Sequence, residues 1–186
     1  RWFSALCLLL VLLLSVAFVA GTPHTAYADG NLLKNGGFES LSSKGEADDW
    51  FENAYYNEVG CSQLSITSEK ARSGQYSALV ENASANDARF VCAVGVKPNT
   101  TYRLSGYVWV ESMEPGGNGA NLAVEDLYAF SECILEPTDQ WQYIEWYGKT
   151  GKDQKTVTIG VRVGGYGAES VGKAYFDDIR VEKAEE

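Results

Sequence analysis

The chain has 186 residues, of which 45% are hydrophobic, and a formal net charge of −10. That length suits one domain with a substantial core, and an acidic chain without clustered Lys and Arg excludes nucleic acid as partner. The single histidine, His24, lies ahead of the expected folded part, so Ser-His-Asp, Cys-His and histidine-ligated zinc chemistry are excluded within that part.

Residues 5–21, ALCLLLVLLLSVAFVAG, form a continuous apolar run. Ala26-Tyr27-Ala28 fits the small-x-small rule of signal peptidase, which predicts a leader over 1–28 cleaved before Asp29. Retention as a membrane anchor is the alternative, although the run is short for a span. Cys7 lacks the small residues that precede a lipidated cysteine. The first residue is Arg rather than Met, which suggests an excerpt of a longer chain. Cleavage would leave Cys61, Cys92 and Cys133, which allow three pairings with one thiol over. Cys92 is expected to stay unpaired and buried.

After residue 30 the apolar residues follow a period of two, with turn residues between the runs. Strands are predicted over 63–67, 76–81, 89–96, 101–110, 121–128, 141–147, 155–163 and 174–182. Lys97-Pro98-Asn99-Thr100 makes a tight connection, 114–119 a flexible loop, Gly151-Lys152-Asp153 a hairpin and Gly164-Gly165-Tyr166-Gly167 the start of a longer loop. The reading is a two-sheet antiparallel β-sandwich over 29–182, with 183–186 as the start of a linker or tail.

Alternation also assigns faces. Tyr102, Leu104, Val108 and Val110 point to the core, as do Leu122 and Val124, Ile144 and Trp146, and Val157, Ile159, Val161 and Val163. The opposite faces carry Arg103, Tyr107, Trp109, Asn121, Glu125, Tyr143, Glu145, Tyr147 and Arg162. If those strands are neighbours, they present aromatic rings with charged and amide groups between them. Sugars suit such a surface, because their C–H faces stack on flat rings and their hydroxyls need donors and acceptors. An ordinary solvated sheet face, rich in Tyr and Trp through β-propensity, is the plainer alternative.

Several segments together resemble the carbohydrate-binding modules of the family 4/9/22 type. They are NLLKNGGFES (31–40), Trp50, ARSGQYSAL (71–79), VGVKPNTTY (94–102), WQY (141–143) and AYFDDI (174–179). The resemblance implies a galactose-binding-domain-like jelly roll whose first strand is NLLKNGGFES, with Phe38 in the core. It further implies a structural calcium ion held by Glu39 and Asp177, joined by carbonyls of the loop between Lys70 and Ser73. Calcium takes six to eight hard oxygens of this kind.

The expected function is that of a non-catalytic module binding a poly- or oligosaccharide on an exported protein, secreted or at a bacterial cell surface. The candidate ligand-binding residues are Arg103, Tyr107, Trp109, Glu125, Tyr143, Glu145, Tyr147 and Arg162. The module is expected to be a monomeric unit of a larger chain, meeting a membrane only if the leader is retained. Alternatives are a structural or adhesive sandwich without sugar ligand and the targeting module of a larger glycoside hydrolase. A glycosidase in its own right would need a carboxylate pair, and the resemblance spends Glu39 and Asp177 on calcium. Specificity is expected in loops 52–62 and 112–120.

Overall fold

Runs that alternate apolar and polar residues can bury only one face, so they pair into sheets and stack the sheets on those faces. The computed structural model, which describes residues 30–184, shows this arrangement. Its strands are β1 (Phe51–Ala54), β2 (Ser62–Thr67), β3 (Ser77–Asn86), β4 (Ala88–Gly95), β5 (Thr101–Met113), β6 (Ala120–Val124), β7 (Ala129–Phe130), β8 (Gln142–Lys149), β9 (Thr156–Val163) and β10 (Ser170–Lys183). All pairings are antiparallel. One sheet has the order β1-β4-β9-β6-β7 and the other β2-β3-β10-β5-β8. The expected leader lies outside the described residues.

Between the sheets lie Val108, Val110, Ile144, Phe176, Leu122, Val124, Ile159 and Val161, none of them more than 1% exposed. Each such side chain contributes about 1.5–3 kcal/mol by leaving water. The inward faces match the sequence reading, with Trp146 half-buried against the rim of the core. Cys61, Cys92 and Cys133 are free thiols, and Cys92 is buried in the core. Burial is also what pushes the Cys92 thiol up to about 11, so it packs as a small apolar group.

Four sequence expectations are corrected. The first concerns NLLKNGGFES, which forms turns rather than a strand. Phe38 has φ 58°, a left-handed value that breaks an extended run. The Asn35 amide donates to the carbonyls of Ser40 and Asp48, and its oxygen accepts the Ser40 N–H. Those bonds hold the turn closed. The backbone of this turn passes close to β10. The Ile179 N–H donates to the Gly36 carbonyl at 2.8 Å, and a Cβ on Gly36 would fall 1.9 Å from the Ile179 carbonyl oxygen.

The second correction is at 121–128. The strand ends at Val124, a short 3₁₀ turn follows over Glu125–Leu127, and Tyr128 turns left-handed at φ 50°. The third is at 151–153. Strands β8 and β9 belong to different sheets, so the segment crosses between sheets and makes no hairpin. The fourth is at the C-terminal end, where β10 continues to Lys183 and the Ala184 N–H donates to Thr101 at 2.9 Å.

Candidate functional site

Three groups of polar and aromatic residues stand out, and strand order decides which of them meet. The first lies where β10 breaks its register with β5 between Asp177 and Arg180. A bulge there turns Asp178 to φ 53° and leaves both Asp177 and Ile179 fully buried. Asp177 Oδ2 accepts the N–H groups of Arg72 at 2.7 Å and Ser73 at 3.1 Å, and Oδ1 accepts that of Asp178 at 2.7 Å. Burial, and then the Asp178 charge, push the Asp177 carboxyl up to about 7 against those bonds.

Glu39 reaches the same loop from the other end of the chain, accepting the N–H groups of Gln75 and Tyr76 at 2.9 Å each. Its carboxylate fills the space where a side chain on Gly74 would stand. The Lys70 carbonyl accepts the Ser77 hydroxyl, while Ser73 donates its hydroxyl to Asp178. Glu39 and Asp177 therefore both hold the loop that carries Lys70 and Ser73. Among the described residues no three His, Cys, Asp or Glu side chains gather as a metal cluster. The hard oxygens of Glu39, Asp177 and the Lys70 carbonyl are nonetheless the donor class calcium takes.

The second group is the outer face of β10-β5-β8. Register places Tyr107 opposite Tyr143 and Arg103 opposite Tyr147. The Tyr107 and Tyr143 rings meet edge to face at 5.3 Å, and Trp109 meets Trp141 at 6.2 Å. Two cations from the loop that holds Asp177 lie over this face. The Arg72 guanidinium is 3.4 Å from the centre of Tyr107, and the Lys70 ammonium is 3.8 Å from the centre of Trp109. The rings of Tyr143 and Tyr147 stay exposed, and both hydroxyls donate to Glu145.

Beside them, Glu182 accepts hydrogen bonds from Arg180 and Arg103. The Arg180 bond above all, with Arg103 behind it, holds the Glu182 carboxyl down at about 2 against partial burial. A depressed carboxylate stabilises the fold above its unfolded value of 4.5 and loses that contribution as pH falls toward about 2. Thermal melts from pH 5 to pH 2 are expected to show this acid loss in the native chain and a shallower loss in Glu182→Gln. Identical slopes would remove Glu182 as a source of acid sensitivity.

The third group lies on the outer face of the other sheet. Asn121 and Arg162 are cross-strand partners of β6 and β9, and Arg162 is also paired with Arg89 of β4. The expected single aromatic surface therefore does not form. Arg103, Tyr107, Trp109, Tyr143, Glu145 and Tyr147 belong to one sheet, and Arg162, with Glu125 beside it, to the other. Alternation reports the face of a strand but not its sheet.

On this third face a cavity of about 330 Å³ is lined by Asn118, Tyr128, Phe130, Arg162 and Tyr166. Tyr128 and Tyr166 are 80% and 79% exposed, with ring centres 6.0 Å apart. At its base the Arg162 guanidinium is buried and lies 5.5 Å from the centre of the Phe130 ring. Its Nε donates to Asn121 at 3.0 Å. Burial pulls the Arg162 guanidinium down from its ordinary value, opposed by Asp87 and Glu125. The Asn121 amide in turn donates to the Gly164 carbonyl at 3.0 Å, which joins the base of the cavity to the loop bearing Tyr166.

Sequence reasoning missed Tyr128, Phe130 and Tyr166. One signal was present for Tyr166, a large ring among three glycines where no strand calls for it. Asn118 falls within the loop expected to carry specificity.

The sequence pattern of the carbohydrate binding domain family matches residues 30–170. No curated protein matches the chain in sequence. Among solved structures, the fold is similar to TmCBM61, determined in complex with β-1,4-galactotriose, at 20% identity and a TM-score of 0.52, over 83% of this chain and 99% of that one. It is also similar to a putative sugar binding protein from Bacteroides thetaiotaomicron, at 14% identity and a TM-score of 0.57, over 83% and 100%. A third likeness is to the CBM22-1–GH10 modules of Clostridium thermocellum xylanase 10B, complexed with xylohexaose, at 16% identity and a TM-score of 0.54, over 84% of this chain and 29% of that one. At these identities the structures speak for the fold, and the family match goes further: with its two antiparallel sheets and the matched residues 30–170, the chain belongs to the carbohydrate binding domain family.

Proposed function

We propose that the chain is a non-catalytic module that binds an oligosaccharide, or a segment of a polysaccharide, in the cavity between Tyr128 and Tyr166. The observation that carries this reading is the pair of exposed rings over a cavity with a buried guanidinium at its base. Exposed rings offer stacking faces for sugar C–H groups, and a few fixed polar groups below them orient hydroxyls. A volume of about 330 Å³ is at the small end of ligand sites. Two structural neighbours were determined with β-1,4-galactotriose and xylohexaose, and ligands of that class suit this site. The β5-β8 face is the weaker candidate, because Arg72 and Lys70 occupy the rings of Tyr107 and Trp109.

Affinity electrophoresis of the chain through gels containing xylan, galactan, β-glucan and mannan tests the proposal. Retardation by at least one polysaccharide, relieved by its soluble oligosaccharide, is expected. Free migration through all of them would leave the structural or adhesive sandwich as the better reading. Export to the outside of a bacterial cell belongs to the same proposal and is supported by the apolar run 5–21 and the Ala26-Tyr27-Ala28 step.

Calcium at Glu39 and Asp177 is a further part of the proposal. The support is the buried Asp177 carboxylate, hydrogen-bonded to the loop that carries the Lys70 carbonyl, and Glu39, which bonds to the same loop from the other end of the domain. An ion there would neutralise that charge and tie the chain's two ends to the 68–76 loop. Saturation at about a hundred times the dissociation constant stabilises by about 2.7 kcal/mol, so EDTA is expected to lower Tm by several degrees. Glu39→Ala should melt lower and lose the response to EDTA. No response in the native chain removes the metal.

A further inference from the structure

Two loops wall part of the cavity, and one side chain joins them. Asn121 lies on the outer face of β6, opposite Arg162 of β9, yet it is fully buried. Its Oδ1 accepts the Arg162 Nε–H at 3.0 Å. Its Nδ2 donates to the carbonyls of Gly164 at 3.0 Å, Gly119 at 3.3 Å and Asn118 at 3.4 Å. These partners fix how the amide points. The reverse orientation would set its N–H groups against the guanidinium and its oxygen against carbonyls.

The loops also bond to each other around this amide. The Gly164 N–H donates to the Gly119 carbonyl at 2.8 Å, and the Asn118 N–H donates to the Ala168 carbonyl at 3.0 Å. The Ala168 N–H donates to the Gly165 carbonyl at 2.9 Å and so closes the turn that carries Tyr166. The Gly119 N–H donates to the Ser170 hydroxyl at 2.9 Å. Gly164 has φ 104°, and a Cβ on it would fall 2.2 Å from the Asn86 carbonyl oxygen. The start of the Tyr166 loop therefore seats directly on the backbone where β3 meets β4.

We infer that Asn121 is the positioning residue of the cavity, holding the Asn118 loop, the Tyr166 turn and the Arg162 guanidinium in one arrangement before a ligand arrives. This rests on the oligosaccharide-binding reading above. Asn118 and Arg162 bond to Asn121 directly, and Tyr166 follows two residues after Gly164, which does too. A fully buried side chain does not meet a sugar, so Asn121 acts through order. A loop already fixed in its bound arrangement has little freedom left to lose on binding. The carboxamide is suited to this role because it accepts on one side and donates on the other. Aspartate has the same shape but, ionised, only accepts.

Asn121→Asp keeps an acceptor for Arg162 and turns the donor into an oxygen that faces the loop carbonyls. Titration calorimetry with β-1,4-galactotriose, xylohexaose, cellohexaose and mannohexaose, together with amide hydrogen exchange, provides the test. In the free native chain the amides of Asn118, Gly119, Gly164 and Ala168 should be protected by about a hundredfold or more. Asn121→Asp should bind about tenfold more weakly at unchanged stoichiometry, which corresponds to a competent arrangement about one-tenth populated. The four amides should then lose most of their protection, while those of β3 and β10 keep theirs. Should Asn121→Asp fail to fold, Asn121→Ser, which removes the loop bonds without adding a charge, takes its place.

Binding within about twofold of native in the variant overturns the positioning role and leaves the aromatic site standing. A lower Tm and fewer competent molecules at unchanged Kd overturn it as well, because that is the mark of a residue that only supports the fold. The four amides exchanging freely in the free native chain would show loops that are not held in advance, and would overturn the inference without any variant. No binding of any probe by the native chain overturns the oligosaccharide reading and this inference with it.

Discussion

Replacing Tyr166 by alanine is expected to weaken oligosaccharide binding about tenfold, or about 1.4 kcal/mol, and Tyr128→Ala by a similar amount. Both rings are about four-fifths exposed, so neither contributes much to the core. Surface substitutions of that kind usually change stability by less than about 0.5 kcal/mol, and Tm should hardly move. Loss of binding at constant Tm is the signature of a ligand contact rather than of unfolding. The ring centres are 6.0 Å apart, close enough to couple. The double variant should therefore lose up to about a hundredfold, and less if both rings grip one sugar. Calorimetry or affinity electrophoresis reads each case. Loss in Tyr147→Ala with Tyr128→Ala intact would move the site to the β5-β8 face.

The largest stability effect is expected at Phe38. Its side chain is fully buried, and its ring packs tilted against Trp50 with centres 4.9 Å apart, and the Trp50 indole N–H donates to the Asn35 carbonyl at 2.8 Å. Deleting such a ring leaves a cavity that a hydrogen-bonded turn cannot collapse to fill. Phe38→Ala should cost about 3–5 kcal/mol by denaturant unfolding. Its φ of 58° is strained for either residue, so the cost comes from lost packing. Phe38→Leu, which keeps most of the volume, should cost much less. A change below about 1 kcal/mol in Phe38→Ala would mean that the segment 31–40 does not close the core. The same segment holds Glu39 against the 70–76 loop, so Phe38→Ala is also expected to weaken any response to calcium.

Much of the fold was legible because β-structure writes its buried face into the chain at a period of two. In β5, Tyr102, Leu104, Val108 and Val110 are all buried, and Arg103, Tyr107 and Trp109 all lie on the outer face. The exceptions have local causes. At 31–40 the Asn35 side chain replaces backbone partners and makes a turn of what reads as a strand. At 125–128 a 3₁₀ turn ends an alternation that would otherwise continue. Both departures lie at candidate sites, one at the Glu39 loop and the other at Tyr128.

The family resemblance implied that both ends of the domain bring acids toward one loop; the sequence alone determined that this chain is a β-sandwich, that residues 30–184 hold no histidine, and which residues of most strands face the core. Periodicity, composition and short motifs carry that information locally. Only the tertiary structure decided which outer faces share a sheet. Arg162 and Trp109 look alike along the chain, as outer-face residues of alternating strands, but strand order sends them to opposite sides of the sandwich. It also decided that Arg72 and Lys70 cover the rings expected to be free, and that the exposed rings are Tyr128 and Tyr166. Pairing between distant strands sets those relations, and a pattern of period two is the same whichever partner a strand takes.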